Sequence, residues 1–275
     1  MATFIEKLNR ACYCNKSLLC IGLDPDPSRI PTPDVYTFNR LIIEATQDLV
    51  CAYKPNLAFY EALGLDGLKD LKRTVEYIRN LNPNILIIGD AKRGDIESSG
   101  QAYARAMFEQ WDFDVITINA YGGRDSIRPY LEYENRGVFV WCRSSNSGSK
   151  DLQDVTDTEG APLYQRMAEM VQSLNEEGNL GLIAGATYPR ELKSLRKLCP
   201  DIPFLIPGIG TQSGNLEKAV KFGVDKLGRG AIINSSRGII YASAGPDFAD
   251  AARKQAELLR HSINVVLTQE EKRWY

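Results

Sequence analysis

The chain has 275 residues, 44% of them hydrophobic and 25% charged, with a formal net charge of −2. That balance suits a sizeable buried core, shows no basic stripe for nucleic acid, and includes no apolar run long enough for a membrane span. Six cysteines without C-x-x-C spacing and a single histidine, His261, argue against a disulfide framework, a zinc site or a His-based triad. The cysteines read as reduced core residues of a cytoplasmic protein, and the charges in "MATFIEKLNRACYCNKSLLC" interrupt the region that a signal peptide would keep apolar.

In chain order, strand-sized apolar runs recur at a fairly regular interval. They are "SLLCIGLD" (17–24), "CAYKPNLAF" (51–59), "NILIIGD" (84–90) and "DVITINAY" (114–121), then "GVFVWCRSS" (137–145), "LGLIAGAT" (180–187), "IPFLIPGIG" (202–210) and "VDKLGRG" (224–230). Amphipathic stretches such as "DGLKDLKRTVEYIRNL" and "APLYQRMAEMVQSLNEE" separate them, and a long helical pattern from "DFADAARKQ" onward follows the last. Strands that are apolar throughout and alternate with helices imply a parallel sheet covered on its outer face. Eight such units predict an α/β fold, a single-domain (β/α)₈ TIM barrel over residues 1–275. A doubly wound open sheet is the alternative, but no G-x-G-x-x-G follows the first strand. One long polar connection, "SSNSGSKDLQDVTDTEG" (144–160), is either an ordered loop near the barrel mouth or a tolerated insertion.

Chemistry in such a barrel lies at the C-terminal strand ends. There the sequence supplies Asp24, then Lys54 with Asn56, then Asp90 and Lys92, followed by Asn119, Ser144 with Ser145, and Thr187. Each alone has a bland reading as a turn residue or a cap, as with Asp24-Pro25 or Asn119. Their coincidence at one rim favours a site. Asp90 and Lys92, two apart on a strand, face the same side, and Lys54 lies one strand over. A lysine flanked by carboxylates stays an ammonium ion, which argues against Schiff-base chemistry and for a proton donor or an electrostatic partner to a developing anion. Asp95 falls at the start of the next helix, where an acid suits the helix dipole. It lies too far along to face its own Lys92, and a role across a subunit interface would resolve that.

The last two strand ends are rich in glycine. "PGIGTQSG" offers free backbone N–H groups, and "GRG" sets Arg229 between two glycines. Loops after the seventh and eighth strands commonly form a phosphate site, to which an arginine adds a bidentate fork. The residues alone therefore predict an enzyme of a small phosphorylated substrate that needs no histidine or thiol.

The run Asp90-Ala91-Lys92-Arg93-Gly94-Asp95-Ile96 resembles the signature of the orotidine 5′-phosphate decarboxylase family, supported in family order by "CIGLDPDP", "AYKPNLAFYEALG", "TINAYGG", "PGIGTQSG" and "LGRGAI". The spelling "DAKRGDI" looks like that family's diverged second branch (type 2), found largely in bacteria. Outside that branch, members usually carry an apolar residue where Arg93 stands and often threonine where Ser99 stands. The resemblance implies cofactor-free decarboxylation of orotidine monophosphate to uridine monophosphate, the last step of pyrimidine synthesis. It assigns proton donation at C6 to Lys92, crowding of the substrate carboxylate to Asp90, and ribose contacts to Lys54 and Asp24. Asp95 and Ile96 would enter the partner's site in a homodimer. Ser145 would meet the pyrimidine ring and Ser99 would be a further substrate contact. Gln212 and Arg229, with backbone at Gly210 and Gly228, would grip the phosphate. Two readings compete: a magnesium-dependent sugar-phosphate lyase or aldolase of the same superfamily, which shares D-x-K-x-x-D, and a non-catalytic nucleotide-binding barrel.

Overall fold

The computed structural model describes residues 2–210, 214–272 and 274. Eight parallel strands close on themselves in sequence order: β1 (Leu19–Leu23), β2 (Ala52–Pro55), β3 (Leu86–Arg93), β4 (Val115–Ile118), β5 (Gly137–Arg143), β6 (Leu180–Ala184), β7 (Phe204–Ile206) and β8 (Ala231–Ser235). The expected (β/α)₈ barrel is therefore the fold. The strands are buried almost throughout because interior side chains fill the barrel while helices cover its outside. Among the described residues no helix is long and apolar enough to cross a membrane.

Before the first strand, helix Phe4–Asn15 begins with a reciprocal cap, in which the Thr3 hydroxyl accepts from the Glu6 N–H and the Glu6 carboxylate accepts from the Thr3 N–H. Its Phe4 ring meets Phe139 edge-on at 6.1 Å, over Gly137, where a Cβ would collide with the ring. The helix thus packs at the N-terminal end of β5, away from the strand ends that carry the polar residues. Five of the six cysteines are buried and only Cys14 is exposed; all are free. His261 is exposed on the C-terminal helix Phe248–Gln269.

One strand differs from the sequence reading. Residues 224–230 do not form the eighth strand; they are the turn that precedes it. The Asp225 carboxylate accepts from the N–H groups of Leu227 and Arg229 at 2.8 Å each, and Gly228 and Gly230 take φ of +77° and +66°, closing the chain on itself. Arg196 pins this turn, donating to the carbonyls of Gly223, Gly230 and Ile202, the last lying just before β7. The strand is the apolar run that follows, paired with β1 through Ile233–Leu19, Cys20–Asn234 and Ile21–Ser235. Polar residues and left-handed glycines favour a turn, whereas the β-branched residues of "AIINS" suit a buried strand.

The 144–160 connection is ordered. It holds a short 3₁₀ turn (Ser147–Ser149) and one helical turn (Lys150–Gln153), tied back to β5 by Arg143. That arginine is 1% exposed, pairs with Asp154 at 2.7 Å and stacks on the Tyr188 ring at 4.0 Å.

Candidate active site

The C-terminal ends of the strands enclose a cavity of about 230 Å³ whose lining includes Asp24, Lys54, Asn56, Asp90, Lys92, Ser144, Ser145 and Arg237. Strand register builds its charged wall. Gly22 of β1 stands opposite Lys54 of β2, and Asn56 bridges to Asp90 of β3, so three neighbouring strands bring their polar ends to one level. Only glycine fits at position 22, because a Cβ there would stand 1.8 Å from the Ser236 hydroxyl at the end of β8.

Asp90 is the centre of the wall. Its Oδ2 accepts from Lys54 Nζ at 2.8 Å, and its Oδ1 accepts from Lys92 Nζ at 2.6 Å and from the Thr117 hydroxyl at 2.8 Å. Burial by itself would push the Asp90 carboxyl up, but the two ammonium groups outweigh it and hold the carboxyl well below the usual carboxylate range. The same balance works on Lys54. Burial opposes its charge, while Asp90 and Asp24 overcome that and raise it above an ordinary lysine. Both stay ionised at neutral pH. Asp24 keeps one buried carboxylate oxygen, Oδ1, without a partner, a spare acceptor beside Lys54.

Lys92 carries local strain. The β3–β4 register slips between Gly89 and Arg93, and within that irregularity Lys92 adopts φ +49°. A left-handed lysine costs about 1–3 kcal/mol, and such strain concentrates at functional positions. The Lys92 N–H finds its acceptor in Thr117 Oγ at 3.0 Å. Its ammonium lies 5.9 Å from the Trp141 ring centroid, between the charged wall and an apolar one made by Trp141, Ile183 and Leu205.

Most of the residues singled out by sequence converge here. Asp24, Lys54, Asp90, Lys92 and Ser145 line the cavity, and Thr187 holds the Ser145 carbonyl through a 2.8 Å hydrogen bond. Asn119 instead accepts from the Tyr121 N–H and lines a neighbouring hollow of about 270 Å³ beneath the 144–160 segment. Asp95, Ile96 and Ser99 are exposed on the segment after β3, outside the cavity that their own Lys92 lines. Gly210 is exposed beyond the cavity wall with φ +96°, while Gly208 and Ile209 line it. Gln212 lies outside the described residues. Gly228 and Arg229 are not at this rim: they occupy the turn entering β8, at the opposite end of the barrel, and line a separate hollow with Arg10 and Tyr13.

The lining or supporting residues that the sequence reading missed include Thr117, Trp141, Asn234, Ser236 and Arg237. With β8 moved to 231–235, Asn234, Ser236 and Arg237 take the rim positions that 224–230 had been expected to fill. The signal was present in "AIINSSRG", a β-branched run leading into polar residues and an arginine.

The fold and the charged rim together define a class, a barrel enzyme that handles small anions. Within that class the chain belongs to the orotidine 5′-phosphate decarboxylase / HUMPS family, whose profile matches residues 17–254. It is 47% identical over 272 residues to an orotidine 5′-phosphate decarboxylase of Cellvibrio japonicus, covering 96% of this chain and 98% of that one. A relative of the same name from Dehalococcoides mccartyi is 47% identical over 265 residues, covering 95% and 97%. Among solved structures, Leishmania donovani OMP decarboxylase superposes with a TM-score of 0.84 at 35% identity, covering 96% of this chain and 98% of that one.

Proposed function

We propose that this protein decarboxylates orotidine 5′-monophosphate to uridine 5′-monophosphate without a metal or organic cofactor. The observation that carries the reading is the Lys54–Asp90–Lys92 row, an ionised carboxylate held between two ammonium groups at the cavity wall. In the reaction the C6–carboxylate bond breaks, CO₂ departs and the electron pair stays on C6. That carbanion has no π-system to spread into, so stabilisation must come from a fixed cation nearby. Lys92 is that cation. Its ammonium then gives a proton to C6, and the resulting amine is recharged from water. Asp90 crowds the substrate carboxylate, a repulsion relieved as CO₂ leaves. Asp24, with its spare acceptor oxygen, and Lys54 hold the ribose hydroxyls, and Ser145 meets the pyrimidine ring. Arg237 takes the phosphate in place of Arg229, since Arg237 is among the residues that line the cavity and the Arg229 turn is not. Gln212 and the backbone at Gly210 complete that grip.

Asp95 and Ile96 act in the partner's site of a homodimer. Their exposure supports this, with Ile96 at 46% and Tyr121, nearby in the next strand's loop, at 81%. The magnesium-dependent alternative fits the donor set less well. Both Asp90 oxygens already accept from ammonium groups, and among the described residues no three His, Cys, Asp or Glu are grouped to hold a metal ion.

The test is the ultraviolet absorbance of orotidine monophosphate mixed with the purified protein, with and without EDTA. Loss of the substrate band at the same rate in both is expected. Turnover that appears only with added magnesium would overturn the reading in favour of sugar-phosphate chemistry.

A further inference from the structure

We infer that Thr117 is a positioning residue for the reaction, setting the Asp90 carboxylate and the Lys92 backbone relative to each other through one hydroxyl. The inference rests on the decarboxylase reading of the site and adds to it a residue that touches no substrate.

Thr117 sits in β4 between Ile116 and Ile118 and is fully buried. Side chains alternate along a strand, so Thr117 faces the opposite way from those two isoleucines. An apolar side chain would serve for packing at such a place, and valine has nearly the same shape. The hydroxyl instead serves the site as both donor and acceptor: it donates to Asp90 Oδ1 at 2.8 Å and accepts from the Lys92 N–H at 3.0 Å. Those two groups are two residues apart on a different strand, across the place where β3 and β4 fall out of register. Without a ladder partner there, the left-handed Lys92 needs an acceptor for its N–H, and Thr117 is the acceptor it has. The same hydroxyl fixes Asp90 Oδ1, which also receives the Lys92 ammonium at 2.6 Å. One group therefore holds both ends of the Lys92 residue, its N–H directly and its Nζ through Asp90. Removal frees the carboxylate to rotate and the Lys92 backbone to relax toward an ordinary strand, and either motion draws the ammonium off its line to the substrate.

The experiment compares Thr117→Val, Thr117→Ala and Thr117→Ser with the wild type. It measures kcat and KM for orotidine monophosphate, the Kd for uridine monophosphate, and the thermal midpoint. The expected result for Thr117→Val is a kcat lower by about 10- to 100-fold, with KM, Kd and thermal midpoint close to wild type. Thr117→Ser, which keeps the hydroxyl, should return kcat to within about threefold of wild type. Unchanged kcat in Thr117→Val would overturn the inference. So would parallel loss of kcat and nucleotide binding, or failure of both Val and Ala variants to fold, since each assigns Thr117 to the scaffold alone. If the wild type itself shows no turnover, the decarboxylase reading fails first, and the two failures are told apart by that control.

Discussion

At the scale of residues, the site depends on charges that burial would suppress if they stood alone. Asp90 and Lys54 remain ionised only because each answers the other, with Lys92 and Asp24 reinforcing the pair. The sign of the pH dependence follows. A carboxyl held below its ordinary range contributes stability that is present above about pH 4 and is lost as the pH falls further. A lysine held above its ordinary range contributes stability that is present below about pH 10 and is lost as the pH rises through its raised value. The urea midpoint of the wild type should therefore exceed that of Asp90→Asn by a constant margin between about pH 5 and 9, and the margin should shrink below about pH 4. A margin that grew on acidification would contradict the pairing. These residues were legible in the sequence because charge leaving an apolar run is conspicuous. Thr117 was not, because a threonine inside a β-branched run looks like any other strand residue until its partners are known.

At the scale of elements, most strands were readable from apolar runs bounded by polar ends, and the eighth was misread. Seven residues of "VDKLGRG" held the expected spacing, and the arginine between two glycines looked like a phosphate loop. Local turn chemistry decided otherwise. Asp225 caps the turn, two left-handed glycines close it and Arg196 binds its carbonyls from below. The shift of one element moves the phosphate assignment from Arg229 to Arg237. Arg237→Ala should raise KM for orotidine monophosphate by about 10- to 100-fold through loss of a charge-assisted contact, and Arg229→Ala should leave KM within about twofold. The reverse pattern in steady-state kinetics would restore the first assignment. The 144–160 segment, undecided from sequence, proves to be anchored by the ion pair of buried Arg143 with exposed Asp154 and by Gln153, which accepts from the Ser144 N–H at 2.9 Å. That tie sets the height of Ser144 and Ser145 on the cavity wall, information that no composition of a polar loop conveys.

At the scale of the whole molecule, the regular alternation of strand and helix patterns was enough to give the barrel, since few other architectures accept eight parallel units in a chain of this length. Asp95 and Ile96 are exposed in the single chain, and the proposed homodimer that would use them can be tested directly. Lys92→Ala and Asp95→Asn, each nearly inactive by itself, should regain about a quarter of wild-type turnover when unfolded and refolded together in equal amounts, because a mixed dimer holds one intact site. No recovery would place Asp95 in its own subunit's chemistry or outside it. The pairing of β1 with β8 also carries a consequence beyond geometry. It is the seam of the barrel, joining segments from near the two ends of the chain, and nothing covalent holds it. Asp24 stands just past one side of the seam and Arg237 just past the other. A nucleotide gripped by both acts as a rivet across that join. Amide hydrogens of Leu19–Leu23 and Ala231–Ser235 should then exchange more slowly when uridine monophosphate is bound, while those of β4 and β5 change little.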